Sequence, residues 1–303
     1  MIDMRGTWFV VPTPFTDSGE LDLSSQARLI ESAIDWGVDG LTVLGVMSEV
    51  TSLSDAERRA ALEVIIETAR GKVPVAVGCS GASTHLVRAR VAAAAALGAA
   101  AAMVSAPQLV RNVDSLPGFY SAVAADAAIP LIVQDEPAAT GVLVPVSVLR
   151  RCLQAANTSV IKLEDPPTPP KISALLAADP SLRVFGGLGG VSALSELSRG
   201  ACGTMTGFAF PEVLRAVREA VEAGQPVEAG RMFEAYLPLI QFEAQPVIGL
   251  AIRKEVLRRR GAIESAATRG VSPHIDPRLA TELTEIFDRL AVDPAQFRLT
   301  VSA

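Results

Sequence analysis

Short runs of β-branched and small apolar residues recur along the chain at 8–11, 40–45, 73–78, 101–105, 130–134, 159–163, 183–186 and 203–206. Successive runs start roughly 20 to 33 residues apart, the length that a strand, a helix and two loops require. The intervening segments carry helix starts and stops. Ser54-Asp55-Ala56-Glu57 reads as an N-cap followed by early acidic residues, and that segment ends at Gly71. Segments 21–37 and 83–98 follow the same plan.

Strands alternating with helices predict a parallel sheet, and eight such units favour closure into a (β/α)8 TIM barrel of the α/β class over an open doubly wound sheet. The first strand-to-helix turn carries no GxGxxG. The run Gly186-Gly187-Leu188-Gly189-Gly190 follows the seventh strand instead and reads as a close-packed loop at the barrel mouth. Helical patterns over 227–241, 247–260 and 277–290 exceed what a barrel needs. The expected organisation is a barrel catalytic domain over 1–224 and a C-terminal helical extension over 225–303, serving as a cap or an oligomer contact, with 265–277 as a connecting loop.

Composition narrows the function. Half of the 303 residues are hydrophobic and the net charge is −6, with no like-charge run longer than Arg258-Arg259-Arg260. Neither a nucleic-acid surface nor an anionic membrane partner is implied; a small-molecule ligand is. Cys79, Cys152 and Cys202 lack metal-ligand spacing and read as inert thiols of a reducing compartment. The start, Met1 to Arg5, lacks the series of a signal peptide, so the cytoplasm is expected. The alanine-rich stretch 91–104 is broken by Gly98 and reads as a buried helix followed by a strand. His85 and His274 stand alone in polar segments, and Tyr120 and Tyr236 lie in helical ones, where packing is the simplest role.

The chain has four lysines among 27 basic residues. Lys72, Lys171 and Lys254 fall in a loop, a helix start and a basic helix, and read as solvated charges. Lys162 differs. Within Ser159-Val160-Ile161-Lys162-Leu163-Glu164-Asp165, alternation puts Ile161 and Leu163 under the helices, which turns Lys162 and Glu164 into the barrel interior near its C-terminal mouth. Loss of hydration there favours the neutral amine that attacks a carbonyl carbon. The competing structural role is an interior ion pair with Glu164.

These residues resemble the dihydrodipicolinate synthase and N-acetylneuraminate lyase family, the class I pyruvate-type aldolases. Gly6-Thr7 with Pro12-Thr13-Pro14-Phe15 resembles the family's opening strand, and Gly45-Val46-Met47-Ser48-Glu49 takes the place of its GTTGE motif. Leu53-Ser54-Asp55-Ala56-Glu57-Arg58 is similar to its LSxxER helix start, and Pro137, Thr140 and Gly141 to the end of YNxPxRTG. Lys162 matches its Schiff-base lysine, and Gly187 and the 200–206 stretch match its later strands.

The resemblance implies a homo-oligomeric enzyme, a dimer or tetramer, that forms an imine with a 2-oxo acid without metal or organic cofactor. It also implies substrate contacts at Val46, Met47, Ser48, Gly187 and Met205, with the carboxylate held by backbone donors of the 45–49 loop and the Ser48 hydroxyl and with Glu49 pinning that loop; Val46 and Met47, which offer no hydroxyl, equally fit an apolar pocket for a less polar substrate. Departures bear on mechanism. Gln134 and Asp135 replace the relay tyrosine and its asparagine, Gln108 and Leu109 stand where Pro-Tyr-Tyr is common, and Ala139 replaces a frequent arginine. Gln cannot exchange a proton near neutral pH, so Asp135, Glu136 or Glu164 is expected to act as acid or base, with Gln134 holding substrate or water.

The expected function is an aldolase acting on a 2-oxo acid such as pyruvate and an aldehyde, with dihydrodipicolinate synthesis itself disfavoured; the alternatives are a Schiff-base dehydratase of a 2-oxo-3-deoxy sugar acid and a metabolite-binding barrel without turnover.

Overall fold

The computed structural model describes residues 4–108, 110–270 and 274–299; Leu109, Met1 and part of the 265–277 loop lie outside them. Eight parallel strands, β1 (Gly6–Val10), β2 (Gly40–Val43), β3 (Val75–Gly78), β4 (Ala101–Ser105), β5 (Leu131–Asp135), β6 (Val160–Leu163), β7 (Arg183–Gly186) and β8 (Gly203–Thr206), pair in chain order. Pairing of β8 with β1, Trp8 opposite Met205, closes the barrel and removes the open-sheet alternative.

The helix starts read from sequence form as expected. Ser54 Oγ accepts from the Glu57 N–H while the Glu57 carboxylate accepts from the Ser54 N–H, a reciprocal cap that opens helix Asp55–Ala69 and contributes about 1 kcal/mol. Ser83 caps helix Thr84–Leu97, and Gly98 ends it at φ +99°, a left-handed turn that a side chain would strain. That helix is not the buried element expected: only Val87, Val91 and Ala94 are buried. Alanine favours helix as strongly as any residue while offering little apolar area, so an alanine run can stand on the surface.

Alternation divides the apolar residues into two cores. Trp8, Val10, Ala76, Met103, Ile132, Phe185 and Met205 fill the barrel, where Trp8 and Phe185 meet edge to face at 5.9 Å. Residues of opposite parity, such as Phe9, Leu41, Val133, Ile161 and Leu163, pack under the helices. The helices Pro226–Glu243, Gly249–Arg259 and Pro277–Leu290 feed Phe233, Ile252 and Phe287 into that same outer core. The side chain of Arg260, from the basic triplet, is enclosed there, with its guanidinium 3.8 Å from the Trp36 ring centroid and paired with Glu212 at 2.6 Å. Among the described residues no helix is long and apolar enough to cross a membrane.

Candidate active site

The register of β5 on β6 sets Gln134 opposite Lys162, and both face the interior. Lys162 is 5% exposed, and its Nζ lies 2.9 Å from Oε1 of Glu164. The other oxygen of that carboxylate accepts a 2.8 Å hydrogen bond from Gln134 Nε2. The inward lysine and the ion pair with Glu164, set against each other from sequence, are thus both present. The ammonium is buried yet compensated, and Gln134 fixes the carboxylate that compensates it.

Gln134 also lines a cavity of about 250 Å³ at the barrel mouth, together with Glu136, Val46, Ser105, Gln108 and Ala139. Glu136 is the carboxyl of that cavity. Burial pushes it up to about 7, the Glu164 charge adding to the shift and Lys162 opposing it. A carboxyl group half-protonated near neutrality can either donate or accept a proton. Arg58 and Arg90 reach the same cavity but are engaged on main-chain carbonyls, those of Gly78 and Ser80. Neither was singled out from sequence.

Asp135 does not join this group. It follows the inward Gln134 along β5 and stands opposite Leu163, so it turns toward the helices. There its Oδ2 accepts from Lys171 at 2.6 Å, and burial pushes it up to about 6 against the pull of that ammonium. Lys171 is correspondingly not a solvated charge. Its Nζ also donates to Asp165 at 2.7 Å and to the Val144 carbonyl at 2.8 Å. Lys254 is likewise fully buried, donating to Glu49 at 2.6 Å and to the Ala267 carbonyl at 2.7 Å, with the Phe15 ring beneath it. Lys72 is exposed, as read. Apart from Asp165, six residues before Lys171, the carboxylates that hold these lysines, Asp135 and Glu49, stand 36 and 205 positions away, which local sequence cannot display.

The 45–49 loop is held from both sides. Ser48 Oγ donates to the Val11 carbonyl at 2.6 Å, and Thr13 Oγ1 donates to the Ser48 carbonyl at 2.7 Å. The Ser48 hydroxyl expected to face substrate is therefore spent on tying the loop to the chain after β1. Glu49, besides Lys254, accepts from the N–H groups of Arg269 and Gly270 at 2.7 and 2.8 Å, which fits a loop pin. Val46 is exposed at the cavity rim, and Met47 packs onto the interior core. Met205 is wholly buried beside Trp8 and Phe185 and lines neither mouth cavity, because its place in β8 is one layer deeper than a substrate contact needs.

The glycine run after β7 makes room for charged side chains. A Cβ at Gly187 would lie 2.4 Å from Glu164 Cγ, and one at Gly189 would lie 2.6 Å from Arg253 Nη2. At Gly186 a Cβ would overlap the Glu196 carboxylate. Gly187, expected to touch substrate, is thus first of all the space in which Glu164 stands. Glu196 was not singled out from sequence. It is buried, it accepts from Thr168, and burial pushes it up to about 7. Its Oε2 finds no hydrogen-bond partner among the described residues.

His85 and His274 are exposed, and Tyr120 is buried with its hydroxyl donating to the Val104 carbonyl at 3.0 Å. Cys79 and Cys152 are buried and pushed up to about 12, while Cys202 is partly exposed. Among the described residues no cluster of three or more His, Cys, Asp or Glu side chains is arranged to hold a metal ion.

A closed barrel with a buried lysine on its sixth strand, at a mouth lined by carboxyl groups, defines an α/β-barrel enzyme of the lyase class. The chain belongs to the dihydrodipicolinate synthetase family, whose model matches residues 3–276. It is 36% identical over 300 residues to the L-2-keto-3-deoxyarabonate dehydratase of Azospirillum brasilense, covering 97% of this chain and 96% of that protein. It is 34% identical over 231 residues to the 4-hydroxy-tetrahydrodipicolinate synthase of Thermomicrobium roseum, covering 71% and 76%. Among solved structures, the dihydrodipicolinate synthase of Rhodopseudomonas palustris superposes with a TM-score of 0.88 at 32% identity, over 94% of this chain and 97% of that one.

Proposed function

We propose that the protein is a Schiff-base dehydratase of a 2-oxo-3-deoxy sugar acid. The observation that carries this reading is the Lys162–Glu164 pair set against Glu136, a cavity carboxyl that is still partly protonated near pH 7. The Lys162 amine attacks the C2 ketone and expels water, giving an imine that acidifies the C3 protons. Glu164, 2.9 Å from the nitrogen, takes one of them. The resulting enamine pushes out the C4 hydroxyl, which leaves as water with a proton from Glu136, giving a C3–C4 unsaturated imine. Loss of a C5 proton to the Glu136 carboxylate, return of the proton from Glu164 to C3 and ketonisation of the C5 enol then place an aldehyde at C5 and reset both carboxyl groups. Hydrolysis of the imine returns Lys162 and consumes the water first released, so one water is lost per turnover. Gln134, bonded to Glu164, orients the base rather than relaying a proton.

The aldolase reading uses the same imine but breaks the C3–C4 bond after removing the C4 hydroxyl proton, and the similarity to 4-hydroxy-tetrahydrodipicolinate synthases supports it. Dehydration is preferred because the similarity to a dehydratase extends over nearly the whole chain and because Gln134 supplies no phenol. The reading includes a cytoplasmic homo-oligomer, a dimer or tetramer, in line with its free cysteines and its family. It takes 1–224 as the catalytic barrel and 225–303 as an extension whose Lys254 braces the mouth loop.

Incubation with 2-oxo-3-deoxypentonates, followed by carbon NMR, tests the reaction. Loss of water to a semialdehyde is expected; pyruvate plus a two-carbon aldehyde would establish the aldolase instead, and an unchanged substrate panel would leave a binding barrel.

A further inference from the structure

Arg253 is a cation that neither the fold nor the proposed steps explain. It is 8% exposed; its ion-pair partner among the described residues, Glu243, lies 3.6 Å from Nε, which makes no hydrogen bond there, and the Glu164 charge reaches it from farther off. Glu243 is itself engaged by the Ala209 N–H at 3.0 Å. A buried guanidinium so loosely paired is costly unless an anion completes its surroundings.

Its position says where that anion comes from. Nη1 is in contact with Met47 Sδ, and Nη2 occupies the space left by Gly189. The same turn, through Gly187, makes room for Glu164. Arg253 also lines a cavity of about 370 Å³ that shares Val46 and Thr51 with the cavity holding Gln134 and Glu136. The mouth loop offers no free hydroxyl, since Val46 and Met47 have none and Ser48 donates to Val11. Of the basic side chains that line the two mouth cavities, Arg58 and Arg90 are engaged on main-chain carbonyls, which leaves Arg253 as the one free to meet the carboxylate of an entering 2-oxo acid.

We infer that Arg253 is the carboxylate anchor of the 2-oxo acid substrate. This rests on the imine reading above and assigns the group that recognises the acid end. Arg253 holds the carboxylate while Lys162 reaches the adjacent ketone, so a keto acid is selected over a neutral ketone.

Borohydride trapping read by intact mass, as a function of ketone concentration, tests it with pyruvate and with methyl pyruvate on wild type, R253M and R253K. R253M is expected to need roughly 10 to 100 times more pyruvate for half-trapping, the loss of one charge-assisted hydrogen bond. Its methyl pyruvate curve should match wild type, and R253K should recover part of the loss. If R253M fails to fold because Glu243 is stranded, the E243Q/R253M pair replaces it. An unchanged pyruvate curve overturns the assignment, as does equal weakening toward both ketones or weakening confined to longer hydroxylated acids. If wild type traps neither ketone, the imine reading fails separately. Arg253 is then judged by the thermal shift that pyruvate produces: its loss in R253M supports the anchor, and its persistence overturns it.

Discussion

Glu164 binds Lys162 through one carboxylate oxygen at 2.9 Å and Gln134 through the other at 2.8 Å, so one side chain both compensates the interior ammonium and is aimed by a neighbouring strand. If Glu164 is the base that takes the C3 proton, E164Q should still trap a 2-oxo acid at Lys162 while losing turnover by about 10²- to 10⁴-fold. Rapid-quench measurement of imine and product separates the two steps. Loss of trapping along with turnover would reduce Glu164 to a partner that keeps the lysine in place.

Glu136, pushed up to about 7 by burial, delivers its proton only while protonated. Turnover should therefore fall as pH rises through about 7. In E136Q the residual rate should be low and should lack that alkaline limb. A wild-type profile flat from pH 6 to 8, or an unchanged limb in E136Q, would remove Glu136 from the reaction.

Gly187→Ala places a methyl group 2.4 Å from Glu164 Cγ, so the carboxylate must be displaced. A shift of this kind is expected to lower kcat by about 10²-fold. Thermal unfolding should change much less. Equal loss of stability and activity would mean that the turn had rearranged as a whole.

Lys171→Met strands Asp135 and Asp165, which it bridges at 2.6 and 2.7 Å, and should destabilise the fold by about 3–5 kcal/mol in urea unfolding. Replacing all three groups, as D135N/D165N/K171M, should recover much of that loss. A single variant as stable as wild type would show the cluster to be solvated in solution.

Glu196 and Glu243 are raised by burial from 4.5 to about 7. The folded chain therefore keeps protons that the unfolded chain releases over that interval. The stability they contribute is fully present below about 4.5 and is lost as pH rises through about 7, at up to about 1.4 kcal/mol per pH unit for each group. Denaturant midpoints should fall across this window, and E196Q should make the decline shallower. A midpoint rising from pH 5 to 7 would contradict the assignment.

The sequence carried the fold almost completely because each strand is a short apolar run and each helix announces its start, as Ser54 and Glu57 do for Asp55–Ala69. It also placed Lys162 and Glu164 on one face, since alternation is a local property; Gln134 came from the family resemblance, and the register of β5 on β6 is what sets it opposite Lys162. The same rule, applied one residue further, turns Asp135 away, and grouping it with its neighbours at the strand end overrode that parity. Lys171, Lys254 and Arg253 were illegible for another reason: helix-borne cations are usually solvated, and only closure of the barrel brings their partners from 36, 205 and 206 positions away. The glycine run offered a signal for Arg253 and Glu196, but a missing Cβ does not say which side chain will fill its place.

Borohydride reduction in the presence of pyruvate, followed by mass mapping of proteolytic peptides, tests the chemistry most directly. A single adduct is expected on the peptide containing Lys162, absent from K162A. No adduct with any 2-oxo acid, or an adduct on Lys72, Lys171 or Lys254 in its place, would contradict that chemistry.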